Sequence, residues 1–179
     1  MKFIRMIIIA LVIVVVVFAI NEYVIKGIIY PIKYNNIIEK VAKEYNIDKY
    51  LICAIIKVES NFNEKALSSS SAKGLMQIMD NTAVEVGNIL HIDNFEIDML
   101  YIPEINIQIG VKYFSMLYNK YEDNRLALIA YNAGQGNLDS WIKEEKVTDE
   151  QSYYNLPFKE TTAYWQKIMR EYKIYSMLY

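Results

Sequence analysis

Apolar positions along this chain fall into two regimes, one unbroken run near the start and a series of shorter patterns at helical spacing. The run is Met6 to Ile20. Beyond it, Ile37, Val41 and Ala42 recur at the period of a helix up to about Tyr45, and Asp48 then offers an N-cap for a second helix through Leu51, Ala54, Ile55 and Val58 to near Ser60. Residues 61–71, rich in Ser and Asn, read as loop. Asp80 predicts a cap for a helix through Thr82, Val84 and Val86, with Gly87 closing it. A longer amphipathic helix follows Pro103, with Ile107, Val111, Phe114 and Leu117 on one face. Leu126 to Ala133 predicts a short helix ended by Gly134, and Thr161 to about Tyr175 a terminal one with Tyr164, Ile168 and Tyr172 on a shared face. No segment alternates with period two. The expected fold class is mainly α, an irregular domain of six or seven helices preceded by one N-terminal transmembrane helix.

The initial run carries Lys2 and Arg5 before it and Asn21 and Glu22 after it. As a helix its 15 residues extend roughly 22 Å, so spanning a hydrocarbon core of roughly 30 Å requires Phe3, Ile4 and Tyr23 to Ile25 to complete it. A cleaved signal peptide is the competing reading, but the exit Val17-Phe18-Ala19-Ile20-Asn21 lacks the small-residue cleavage pattern, and no Cys follows to take a lipid. An uncleaved signal anchor over 1–22 is therefore preferred, with a tether over 23–33 and a folded domain over 34–179. Positive charge ahead of the run orients the amino terminus to the cytoplasm and the domain outside.

Composition narrows the chemistry. The chain is 54% hydrophobic with 16 Tyr, which excludes disorder, and the 146 residues of the expected domain suit one core. A net charge of -2 supplies no general basic surface, so nucleic acid is not an expected partner. One Cys and one His cannot build a His/Cys metal or redox centre, so no metal or cofactor is expected. Cys53 lies within an apolar run and reads as a small buried hydrophobe, and His91 as a surface loop residue.

Four short strings carry the chemistry: Glu59-Ser60 at a helix end, Gly74-Leu75-Met76-Gln77-Ile78-Met79, Ala130-Tyr131-Asn132-Ala133-Gly134, and Glu160-Thr161. A general acid must hold its proton at working pH, and a free glutamate of pKa about 4.3 is mostly ionised at neutral pH. Glu59 follows Ile55, Ile56 and Val58, where desolvation would hold it protonated. The bland alternative is an exposed helix-end glutamate, or half of an ion pair with Lys57 or Lys73.

In this order across residues 35–175, the strings resemble the catalytic domain of the soluble lytic transglycosylases, a lysozyme-like family that cuts cell-wall glycan. The resemblance implies that Glu59 is the one catalytic residue. It would protonate the bond between N-acetylmuramic acid and N-acetylglucosamine, then act as base toward the muramyl 6-hydroxyl to leave a 1,6-anhydro ring. It further implies substrate contacts from Ser68, Gln77, Met79, Tyr131 and Asn132, with Tyr131 beside Glu59, and framework or cleft-edge roles for Ser60, Glu160 and Tyr164. Leu75 and Met76 are expected in the core. The implied partners are peptidoglycan strands and, through the N-terminal helix, the membrane; no protein partner is indicated. The family often continues the Gly74–Met79 string with Pro, where this chain has Asp80. Two competing readings are a hydrolase of goose-type lysozyme character, which delivers water in place of the 6-hydroxyl, and an inactive glycan-binding scaffold. Asp80, Glu85 and Asp93 each remain open as a second carboxyl opposite Glu59.

Overall fold

The computed structural model describes residues 2–179, apart from the side chains of residues 2, 3 and 21. Met1 of the expected anchor lies outside the described residues, as do the side chains of Lys2 and Asn21 that flank the apolar run. The chain divides into two compact units, one ending at Lys33 and one beginning at Tyr34.

In the first unit, helix α1 covers Lys2–Val24 and continues into a π-helical turn, Ile25–Ile29. Helix therefore occupies much of the segment expected as tether, because Val24, Ile25, Ile28 and Ile29 prolong the apolar pattern and no proline intervenes before Pro31. Within it, Ile4–Ile29 is a 26-residue stretch containing an 18-residue window with a mean hydropathy of 2.9 and no burial inside the protein. The α1 segment alone rises roughly 34 Å, long enough to cross a bilayer core.

The second unit contains seven α-helices: α2 (Asn35–Tyr45), α3 (Lys49–Ser60), α4 (Asp80–Ile89), α5 (Pro103–Tyr121), α6 (Asn124–Ala133), α7 (Gln135–Lys143) and α8 (Lys159–Leu178). Isolated bridges at Leu67, Lys73 and Ile78 are the only extended pairings among the described residues. Helix α5 is the hub, packing against α2, α4 and α6, and its expected face of Ile107, Val111, Phe114 and Leu117 is buried. Each such side chain contributes about 1.5–3 kcal/mol through removal from water. Helix α3 is more enclosed still. Six consecutive residues, Leu51 to Ile56, are buried, so the rod that ends in Glu59 is fixed from all sides. Asp48 caps it as expected, accepting a 2.7 Å bond from Tyr50 N.

Several local expectations are corrected. Asp80 does not cap α4: Met79 takes the N-cap position, and the Asp80 carboxylate in the first turn instead pairs with Lys73 at 2.5 Å. Gly87 does not end α4, which runs on to Ile89; the Phe95 ring packs over Gly87 so closely that a Cβ would sit 3.3 Å from it. Ile38, not Ile37, is the fully buried isoleucine of α2, and Tyr175, not Tyr172, is the fully buried tyrosine of the last turns of α8. Helix α7 was not anticipated, since it opens on the polar Gln135-Gly136-Asn137 and buries only Leu138 and Trp141.

Candidate active site

Helix α3 ends at Ser60. Asn61 adopts the left-handed conformation at φ 50°, and Phe62 follows it at φ 60° with its ring buried. An aromatic residue in that region is strained by about 1–3 kcal/mol, and burial of the ring holds it there. The sharp exit leaves Glu59 in the last turn, partly open on one side. Ser60 is a framework group: its hydroxyl donates to Leu75 O at 2.8 Å, with Ile56 O at 3.1 Å, tying the helix end to the next loop.

That loop is the Gly74–Met79 string. Gly74 has φ 73°, and a Cβ there would come within 2.2 Å of both Leu100 O and the Asn106 side chain, so only glycine fits. Asn106, fully buried on α5, holds the loop through three bonds. Its Oδ1 accepts from Met76 N at 2.8 Å, and its Nδ2 donates to Lys73 O at 2.9 Å and Leu100 O at 2.8 Å. Leu75 and Met76 are core residues, as expected, and Gly110 leaves the space that the Met76 side chain fills. Gln77, at φ 48°, commits its amide hydrogens to Gly74 O at 2.9 Å and Ala66 O at 3.3 Å, so its side-chain oxygen is the group left for a ligand. Met79 is 45% exposed. Ser68 serves the loop itself, accepting from Ala72 N at 3.0 Å and Ser70 N at 3.2 Å.

Helices α6 and α8 supply the facing groups. The Tyr131 hydroxyl donates to Met76 O at 2.8 Å, and its ring packs on Tyr113 at 5.3 Å. The phenol bonded to Glu59 is instead that of Tyr164, which donates to Oε1 at 2.6 Å. Asn132, exposed at the end of α6, accepts from the Thr161 hydroxyl at 2.7 Å, joining α6 to α8. Glu160 is exposed at the start of α8, where a carboxylate complements the helix dipole. Gly134 ends α6 at φ 86°, and a Cβ there would meet nothing within 4 Å, so its role is the turn and not a close approach.

These elements line two open stretches of groove that share Gln77 as a lining residue. One, of about 500 Å³, runs past Glu59 and Ser60 to Lys57, Lys167 and Glu171. The other, of about 240 Å³, is lined by Met79, Thr82, Tyr113, Tyr131 and Asn132. Ser68 and Glu160 line neither stretch. Asp80, Glu85 and Asp93 are likewise absent from the lining; the second acid in the groove is Glu171, whose Oε2 is buried without a hydrogen-bond partner among the described residues. Asn106, Lys167 and Glu171 were not singled out from sequence. Asn106 has a visible signal, a polar residue interrupting the apolar side of an amphipathic helix.

Burial pushes the Glu59 carboxyl up to about 7, against the opposing pulls of the Tyr164 hydrogen bond and the Lys167 charge. Lys73 is engaged by Asp80 and does not neutralise it. Burial, together with the nearby Glu59, holds the phenols of Tyr131 and Tyr164 well above their ordinary range, so both remain neutral donors. Cys53 is fully buried and its thiol is pushed up to about 12, leaving it inert.

A helical domain that presents a desolvated, protonatable carboxyl in an open groove fits the lysozyme-like class of architecture. The chain belongs to the transglycosylase SLT domain family, whose model matches residues 36–154. It is similar to the soluble lytic murein transglycosylase of Escherichia coli, with 31% identity over 144 residues, covering 78% of this chain and 22% of that protein. It is also similar to membrane-bound lytic murein transglycosylase C of Photorhabdus laumondii, with 37% identity over 123 residues, 59% of this chain and 32% of that one. Among solved structures, an inactive glutamate-to-glutamine mutant of the lytic transglycosylase Slt from Pseudomonas aeruginosa superimposes with a TM-score of 0.75 at 31% identity, covering 83% of this chain and 24% of that chain. The chain thus spans between a fifth and a third of the length of these relatives.

Proposed function

We propose that this protein is a membrane-anchored lytic transglycosylase that cuts the bond between N-acetylmuramic acid and N-acetylglucosamine in peptidoglycan and leaves 1,6-anhydromuramyl ends. The observation that carries the reading is Glu59, a carboxyl raised to about 7 within the groove and bonded to Tyr164. A group poised at that value is protonated often enough to act as acid and basic enough to act afterward as base. Glu59 gives its proton to the glycosidic oxygen as the bond to the muramyl C1 breaks. The resulting carboxylate then takes the proton of the muramyl 6-hydroxyl as that oxygen closes on C1, which restores the acid and consumes no water. Gln77, Met79, Tyr131 and Asn132, along the groove, contact the strand, and residues 34–179 carry the activity. The activities named for the relatives, and the inactive glutamate-to-glutamine form of the Pseudomonas aeruginosa structure, support this reading.

The length and hydropathy of α1, and the membrane-bound relative, support anchorage through one span, with Arg5 on the cytoplasmic side and the domain outside. Mass spectrometry of muropeptides released by the purified protein tests the chemistry. Anhydromuramyl products are expected; products one water heavier, with reducing muramic ends, would replace the transglycosylase reading with a hydrolase.

A further inference from the structure

Helix α8 brings more than Tyr164 to the groove. Tyr164, Lys167 and Glu171 recur at spacings of three and four, so they share one face of the helix. Tyr164 on this face bonds Glu59 at 2.6 Å, and the next turn places Lys167 in the lining of the same stretch that holds Glu59. Lys167 is exposed toward the groove, whereas Glu171, one turn further on, is buried. A single carboxyl that must give a proton and then retrieve one passes through an anionic state between the two steps. In a desolvated site that anion needs a counter-charge, and bulk water is a poor source once a glycan strand covers the groove.

We propose that Lys167 is a positioning residue for Glu59, its ammonium stabilising the Glu59 carboxylate that exists between proton donation and proton recovery. This rests on the reading of Glu59 as the acid and base. The groups facing Glu59 are few. From α8 come Tyr164, a donor to the carboxylate, Lys167, and Glu171, a buried acid one turn beyond Lys167 in the lining of the same stretch. From α6 comes Tyr131, a neutral phenol whose hydroxyl is committed to Met76 O. From its own helix, Lys57 lines the same stretch, with Glu171 and Lys167 among its electrostatic neighbours. Lys167 is therefore the cation acting on Glu59, consistent with its downward pull on that carboxyl, and Lys57 is the natural control.

The test is the pH dependence of kcat/KM for muropeptide release by the full chain in detergent, for the wild type and for Lys167→Met, Lys167→Arg and Lys57→Met. Activity is expected to fall as pH rises through the value of Glu59, near 7 in the wild type. Without the Lys167 charge the neutral acid is favoured, so Lys167→Met moves this alkaline limb upward, on the order of half a pH unit for one partly solvated charge. The same variant lowers kcat in the plateau, since the anion loses its counter-charge. Lys167→Arg restores the wild-type limb, Lys57→Met leaves it in place, and raising the salt to 1 M narrows the gap between the wild type and Lys167→Met. A Lys167→Met limb that coincides with that of the wild type overturns the proposal, as does an equal shift in Lys57→Met. A wild-type protein that releases no muropeptide overturns the functional reading itself, a separate outcome.

Discussion

Glu59→Gln should make the protein more stable at alkaline pH. In the unfolded chain the carboxyl titrates near 4.5, and in the folded protein near 7. Between those values the folded state binds more protons than the unfolded state, so the stability of the wild type falls as pH rises through this window and is level above it. A separation of about 2.5 units at roughly 1.4 kcal/mol per unit corresponds to about 3.5 kcal/mol, an upper figure because Glu59 is open to solvent on its groove side. Glutamine keeps the size and the acceptor for Tyr164 but carries no ionisable group. The comparison is made by denaturant titration of the full chain in detergent at pH 5 and pH 8. Tryptophan fluorescence is the signal, because Trp141 and Trp165 are the only tryptophans and both lie in the unit beyond Lys33. The expected result is near-equality at pH 5 and an advantage of about 2–3 kcal/mol for Glu59→Gln at pH 8. A difference that does not change with pH, or that favours the wild type at pH 8, would refute the claim that burial dominates the Glu59 environment.

Three further outcomes follow from the groove's framework. Asn106→Ala leaves the buried Met76 N and Leu100 O without their Asn106 partner, while Lys73 O keeps its bond from Ile78 N, so thermal or chemical unfolding should show a loss of about 2–4 kcal/mol. Gly74→Ala meets Leu100 O and forces alanine to φ 73°, and should cost at least about 2 kcal/mol or yield no folded protein, read by circular dichroism. Tyr164→Phe removes the 2.6 Å bond that favours the Glu59 carboxylate; kcat should drop on the order of tenfold and the alkaline limb of the pH profile should move upward, with little change in unfolding midpoint at pH 5.

Helical spacing made most of the fold legible, because α2, α3, α5 and α6 bury one continuous apolar set and end at residues suited to the left-handed region, such as Asn46, Asn61 and Gly134. Where the reading failed, a tertiary partner outweighed a local preference. Asp80 is a good cap by type, but Lys73 claims its carboxylate; Gly87 is a good helix stop, but the Phe95 ring claims the space beside it. At the site, the strings around Glu59, Gln77 and Tyr131 stood out; in the structure Glu59 and Tyr131 line separate pockets, and Gln77 lines both. Which phenol bonds Glu59 depends on how α8 crosses α3, a contact 105 residues apart in sequence, so Tyr164 could be noted and its bond could not. Asn106 and Lys167 lie outside the strings and matter only through what the fold places opposite them.

The account rests on Glu59 as the group that moves the proton, and the rate of muropeptide release by Glu59→Gln against the wild type near pH 6 tests it most directly. A fall of at least about a hundredfold, in a variant whose fluorescence and unfolding show it folded, is the predicted result. Release at a rate close to that of the wild type would contradict the account.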